Sequence, residues 1–111
     1  MTDDREETAA RVFAALADPT RRSILAELAA RGPATATDLA GRLPISRQGV
    51  AKHLDRLTEA GLTTAETGEG RRIRYRVHTA PMQLAQQFLA AMARDWDARL
   101  EQLKNHLEGS P

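Results

Sequence analysis

The chain contains no cysteine, which excludes disulfides, thiolate metal sites and cysteine-based redox sensing together. A reducing interior suits such a composition. No apolar run approaches membrane-spanning length, and the chain opens on Asp3, Asp4, Glu6 and Glu7 instead of a basic segment followed by an apolar one. A soluble, cytoplasmic protein without membrane contact is therefore expected. There is no glycine-rich phosphate loop, no cluster of histidines and carboxylates, and no nucleophile with an obvious base. An enzyme is accordingly not expected, nor is a cofactor. Net charge is only +1, which argues against a protein that coats nucleic acid indiscriminately. The 111 residues suffice for one small domain, 1–111, with a modest core and a use for a partner subunit.

Charge is present but unevenly placed. Residues 1–18 carry Arg5 and Arg11 against five carboxylates, whereas residues 42–78 carry eight cations against four. Genomic composition accounts for fourteen arginines to two lysines, but not for that clustering. The basic segment coincides with the most informative stretch, residues 37–62. There Leu39, Ala40 and Leu43 mark the buried face of a short helix that Pro44 ends. Ser46 then caps a second helix burying Val50, Leu54 and Leu57. Two short amphipathic helices about a tight turn read as a helix-turn-helix. The outer face of the second carries Arg47, Gln48, Lys52 and Arg56, residue types that suit both phosphate contact and bidentate bonding to base edges.

After Gly61, the runs Leu62–Thr67 and Ile73–His78 are strand-like and are separated by Gly68, Glu69, Gly70 and Arg71. This predicts a β-hairpin. Ile73, Tyr75 and Val77 alternate with Arg72, Arg74 and Arg76, so one side faces a core and the other presents guanidiniums. A helix-turn-helix followed by a basic hairpin is a winged helix. The expected class is mainly α with a small β-hairpin, in the order α-α-α-α-β-β-α.

Flanking helices complete the pattern. Thr8–Leu16 has helical spacing through Val12, Phe13 and Leu16, and Asp18-Pro19 then caps and opens a helix burying Ile24, Leu25 and Leu28 before Gly32-Pro33. Arg21 and Arg22 fall in its first turn, against the helix dipole, so anionic partners are expected, an intramolecular carboxylate before DNA. Beyond Pro81, Leu84, Phe88, Met92, Trp96, Leu100, Leu103 and Leu107 recur at intervals of three or four, forming one apolar stripe. It is longer than a domain of this size needs for its own core, so isologous pairing into a two-fold homodimer is expected, with Phe88, Met92, Trp96, Leu100 and Leu103 at the interface.

These landmarks in combination resemble the ArsR/SmtB family of bacterial winged-helix repressors: Leu16-Ala17-Asp18-Pro19-Thr20-Arg21-Arg22, Ile45-Ser46-Arg47-Gln48-Gly49-Val50, His53-Leu54, Ala60-Gly61-Leu62, Gly70-Arg71 and Tyr75. The Ser46–Leu54 run and Trp96 look like a non-metal branch whose genes often neighbour START-like proteins. The resemblance implies a dimer joined through the first and last helices, with the fourth helix reading double-stranded DNA. It places Ser46, Arg47, Gln48, Lys52 and His53 on the recognition helix and Arg71 and Arg72 on the wing. For His53, beside Leu54 and three residues after Val50, packing and base contact stay equally open. Metal sensors of the family carry ligands on the third or last helix. Here Asp95, Asp97, His106 and Glu108 are the candidates on the last helix and lack an imidazole-rich set, so no metal site is expected. His78 reads as a turn or surface residue. The function expected is a sequence-specific repressor acting as a homodimer on a palindromic operator. The alternatives are a small-molecule- or metal-responsive repressor of the same fold and a protein-protein module, while the effector stays unknown.

Overall fold

The computed structural model describes residues 4–109. Asp3, counted above with the acidic opening, lies outside the described residues. Helix α1 spans Asp4–Leu16 and α2 spans Pro19–Arg31. The first begins earlier than its apolar spacing suggests, because Asp4, Glu6 and Glu7 in the first turn complement the positive end of the helix dipole. Asp18 caps α2 as expected, its carboxylate accepting from the amides of Thr20 at 2.7 Å and Arg21 at 3.3 Å.

A two-residue strand β1, Ala34–Thr35, leads into α3, Ala36–Arg42. Thr35 and Asp38 form a reciprocal capping box, Asp38 N–H donating to Thr35 Oγ1 at 3.0 Å and Thr35 N–H to Asp38 Oδ2 at 3.1 Å. Helix α4 covers Arg47–Glu59, followed by β2, Thr63–Thr67, and β3, Ile73–Val77; α5 runs from Ala80 to Glu108. The sheet has the order β1-β3-β2 and is antiparallel throughout, with Ala34 opposite Tyr75, Thr35 opposite Arg74 and Ala65 opposite Tyr75. The two-stranded hairpin expected from sequence is thus three-stranded. Two residues are too few to show an alternating pattern, and β1 exists because β3 has a free edge for it to pair.

Val12, Ile24, Leu25, Leu28, Leu39, Val50, Leu54, Leu57 and Leu62 close into one core. Ala40 and Leu43 are half-buried on its border, whereas Phe13 and Ile73 are exposed at 37% and 47%. For Phe13 the spacing misleads because the residue turns off the α1 face defined by Ala9, Val12 and Ala15. Ile73 begins β3 opposite Thr67, in the last pair of the ladder at the wing end.

Helix α5 divides in two. Its beginning packs on the body and on α1, with Ala85 buried and Leu84 and Phe88 half-buried, while residues 89–108 are all exposed. The projection gives the chain a radius of gyration of 19.3 Å and a longest extent of 75 Å. A compact chain of this length would have a radius near ~13 Å.

Candidate nucleic-acid interface

The N-terminal end of α4 is built by its cap. Ser46 Oγ accepts from the Gly49 amide at 3.0 Å, so its hydroxyl is committed to the helix. A side chain at position 49 would place its Cβ 2.9 Å from Ile45 Cγ2 and 3.2 Å from Ser46 Oγ, so glycine lets the turn close tightly. That turn sets Arg47 and Gln48 at the first exposed positions of α4.

Across from them stands the wing. Residues 69–72 make a tight turn with left-handed backbone at both central positions, Gly70 at φ +68° and Arg71 at φ +65°. Gly68 N–H donates to Arg72 O at 2.6 Å and Arg72 N–H to Glu69 O at 3.4 Å, closing the hairpin. Glycine tolerates this conformation; arginine is strained in it, a type of outlier that concentrates at functional positions. Between wing and helix lies an open cleft of about 620 Å³, lined by Thr35–Asp38 at the start of α3, by Arg47, Gln48 and Ala51, and by Gly70–Ile73 and Tyr75. The structure therefore brings Arg47, Gln48, Arg71 and Arg72 to one concave, cationic surface.

Other cations are differently engaged. Arg76 pairs with Glu66 across the strands at 3.4 Å, both side chains being more than half exposed, so the pair contributes little to stability. The amide and hydroxyl of Thr35 bind the Asp38 carboxylate and, with the charges of Arg42 and Arg74 nearby, hold it below the ordinary carboxylate range. Burial pushes the Tyr75 phenol up, assisted by the Asp55 carboxylate. Partial desolvation acts to raise Asp18, but the amides of Thr20 and Arg21 and the charges of His53 and Arg21 outweigh it and leave that carboxyl lowered.

Several expected site residues lie elsewhere than the cleft. His53 is half-buried and close enough to Asp18 to act on its carboxylate, which puts it on the packing side of α4. Arg56, near the far end of α4, lines a separate recess with Arg11, Arg21 and Glu59, because the helix turns that residue toward α1 and α2. Lys52 is exposed between these two ends. Among the described residues neither Arg21 nor Arg22 forms an ion pair with a carboxylate. Arg21 Nε donates to Ala15 O at 2.6 Å and its Nη2 to Ala14 O at 3.2 Å, while Arg22 Nη1 donates to Leu16 O at 2.6 Å. The anionic partner is the carbonyl end of α1, whose orphan acceptors carry the negative pole of that helix.

On α5, Met92, Trp96, Leu100 and Leu103 are exposed at 42, 55, 55 and 53%, whereas Phe88 is turned into the core of its own chain. His78 Nδ1 lies 3.1 Å from Gly61 O, a turn contact of the kind its position in the sequence suggests. Among the described residues no three His, Asp or Glu side chains gather where a metal ion could bind, and no helix is long and apolar enough to cross a membrane. Thr35, Asp38 and Tyr75 join the cleft without having been expected there. The Thr-x-x-Asp capping signal is present in the sequence, but nothing marks the strand that brings Thr35 beside the wing.

Residues 16–65 match the helix-turn-helix domain family. The chain is 44% identical over 72 residues to an uncharacterized HTH-type transcriptional regulator of Bacillus subtilis, YuzN, a match covering 60% of this chain and 74% of that protein. It is 45% identical over 71 residues to the HTH-type transcriptional regulator CmtR of Mycobacterium tuberculosis, covering 64% of this chain and 58% of that one. Among solved structures, an ArsR-like transcriptional regulator from Rhodococcus sp. RHA1 superposes with a TM-score of 0.82 at 42% identity, covering 94% of this chain and 96% of its own. The last match extends along α5 as well as the body. With the cleft between the capped helix α4 and a basic wing, these likenesses identify the chain as a DNA-binding transcriptional regulator of the ArsR family, with a winged helix-turn-helix fold.

Proposed function

We propose that the chain represses transcription as a homodimer, seating two copies of α4 in successive major grooves of a palindromic operator. The observation that carries this reading is the convergence of Arg47 and Gln48 with Arg71 and Arg72 on one cleft. Arg47 and Gln48 stand at the N-terminal end of α4, where bidentate side chains reach base edges. Arg71 and Arg72 serve the phosphates, as does Lys52. Ser46 contributes its cap and the orientation of the helix, and His53 packs.

The two-fold axis rests on α5. Leu89, Met92 and Trp96 are followed eleven residues later by Leu100, Leu103 and Leu107, all six exposed. An eleven-residue repeat advances ~3.67 residues per turn and suits long, nearly straight helices that pair with slight right-handed coiling. Antiparallel pairing centred near Ala98 stacks Trp96 on the partner's Leu100, Met92 on the partner's Leu103 and Leu89 on the partner's Leu107. The same register sets Asp95 beside the partner's Arg99, whereas parallel pairing would put Arg99 near the partner's Lys104. Opposite charges favour the antiparallel form. Such a dimer holds its recognition helices roughly 34 Å apart for one face of the duplex. Occupying a promoter in this way would exclude RNA polymerase.

The decisive experiment is a footprint of the purified protein on promoter DNA beside its own coding region, with sedimentation of free protein and complex. Two protected half-sites one helical turn apart and a dimer in both runs are expected. A wild-type monomer at micromolar concentration, or uniform protection without half-sites, would overturn the reading.

A further inference from the structure

Away from the cleft, on the other flank of α4, the recess between α1, α2 and α4 has a volume of about 530 Å³, the size of a metabolite site. Three guanidiniums, those of Arg11, Arg21 and Arg56, line it against one carboxylate, Glu59, and its apolar wall is alanine. Arg21 is held in place by the two α1 carbonyls, which leaves the Nη1 end of its fork uncommitted. Neither the Arg11 nor the Arg56 guanidinium forms an ion pair or hydrogen bond among the described residues. Like charges gathered in a partly enclosed space repel, and an anion bound among them removes that repulsion while gaining charge-assisted hydrogen bonds.

We propose that this recess binds a small multivalent anion, a di- or tricarboxylate or a phosphorylated metabolite, and that its occupancy weakens DNA binding. DNA is the less suitable occupant. Arg56 stands nine residues beyond Arg47, about 13 Å along α4, and the exposed charged neighbours on that half of the helix are Asp55 and Glu59, which repel a phosphate backbone. The recess also joins the parts that regulation must connect. Arg56 belongs to the helix that reads DNA, and Arg11 to α1, which packs on α5. An anion clamped between them fixes α4 relative to the pairing helices and neutralises a cation of the recognition helix, and by linkage DNA expels the anion in turn. The coupling rests on the repressor reading above; the binding site does not.

Calorimetry on the full chain with citrate and with pyrophosphate, each at constant ionic strength, tests the site and separates carboxylate from phosphate as its ligand. Saturable binding of at least one is expected, weakened tenfold or more in Arg11→Gln and in Arg56→Gln and unchanged in Arg31→Gln, a surface cation remote from the recess. The anion that binds should also lower DNA affinity of the wild type and not of Arg56→Gln. Absence of saturable binding by both anions, or equal weakening by Arg31→Gln, overturns the site. Loss of DNA affinity with a reduced salt slope in Arg11→Gln, without any anion binding, assigns the recess to DNA phosphate and overturns it too. A protein that binds the anion but no DNA refutes the repressor reading and leaves the site standing.

Discussion

Leu54 and Leu100 lie on the apolar stripes of two amphipathic helices, yet Leu54 is fully buried and Leu100 is 55% exposed. The first lies on a helix that packs against α2, α3 and the sheet; the second projects on a helix that has already left the body. Periodicity states that a face seeks burial and leaves open what buries it. The winged body satisfies its stripes within the chain, and the distal half of α5 carries an apolar stripe that the described residues leave exposed.

Substitutions at the two leucines should separate these cases, beginning with the larger effect. Leu54→Ala is expected to destabilise the fold by about 2–5 kcal/mol through lost burial and a residual cavity, read as a lower melting temperature at every protein concentration. Leu100→Asp should leave the body folded and weaken self-association by about 2 kcal/mol or more, the scale of a central interface residue. Sedimentation with circular dichroism checks it. An outright unfolded variant would mean that distal α5 completes its own core and that the contrast is false.

The contrast extends to the cleft, which belongs to the body but acts outward. Arg47→Ala and Gln48→Ala should each reduce discrimination between operator and random DNA by about 1–3 kcal/mol without changing the melting temperature. Equal losses on both DNAs would move these residues to the phosphate class. Smaller still, Arg71→Gly should relieve about 1 kcal/mol of backbone strain, since glycine accepts the +65° φ, while lowering the slope of log affinity against log salt by about one unit. Higher stability with an unchanged slope would show that the wing tip touches no phosphate.

The smallest effect concerns acid. Asp18 and Asp38 have folded-state pKa values below the ordinary value, so each contributes stability that is present above an unfolded pKa of about 3.9 and disappears as pH falls through the folded one. Asp38→Asn should therefore flatten the acid limb of a pH–stability curve and leave its slope at neutral pH alone. A slope changed near pH 7 would point to a different titrating group.

Much of the body and part of the cleft are legible in the residues themselves. Asp18 and Ser46 announce their helices because a cap is a local event, decided within three residues. Val50, Leu54 and Leu57 identify the inner face of α4 because a helix repeats often enough to reveal it. What stays hidden depends on neighbours distant in sequence. The periodic pattern of α4 gives the angle of Arg56 about the helix axis, but not that α1 and α2 stand at that angle. Arg21 and Arg22 do want negative charge, as their place in the first turn implies; that charge sits on backbone carbonyls, which carry no sequence signature. Phe88 shares the spacing of Met92 and Trp96, and only the path of α5 off the body decides that it turns inward.

Thr35 occupies two roles at once, as the strand residue opposite Arg74 and as the cap of α3. The start of the helix-turn-helix is thereby laced to the inner strand of the wing, and the jaws of the cleft cannot open independently. Such a protein behaves as a fixed caliper. Duplex seated there as proposed has to conform to its span, so sequences that bend or narrow readily at the positions between wing and helix are expected to bind better even where no side chain touches a base.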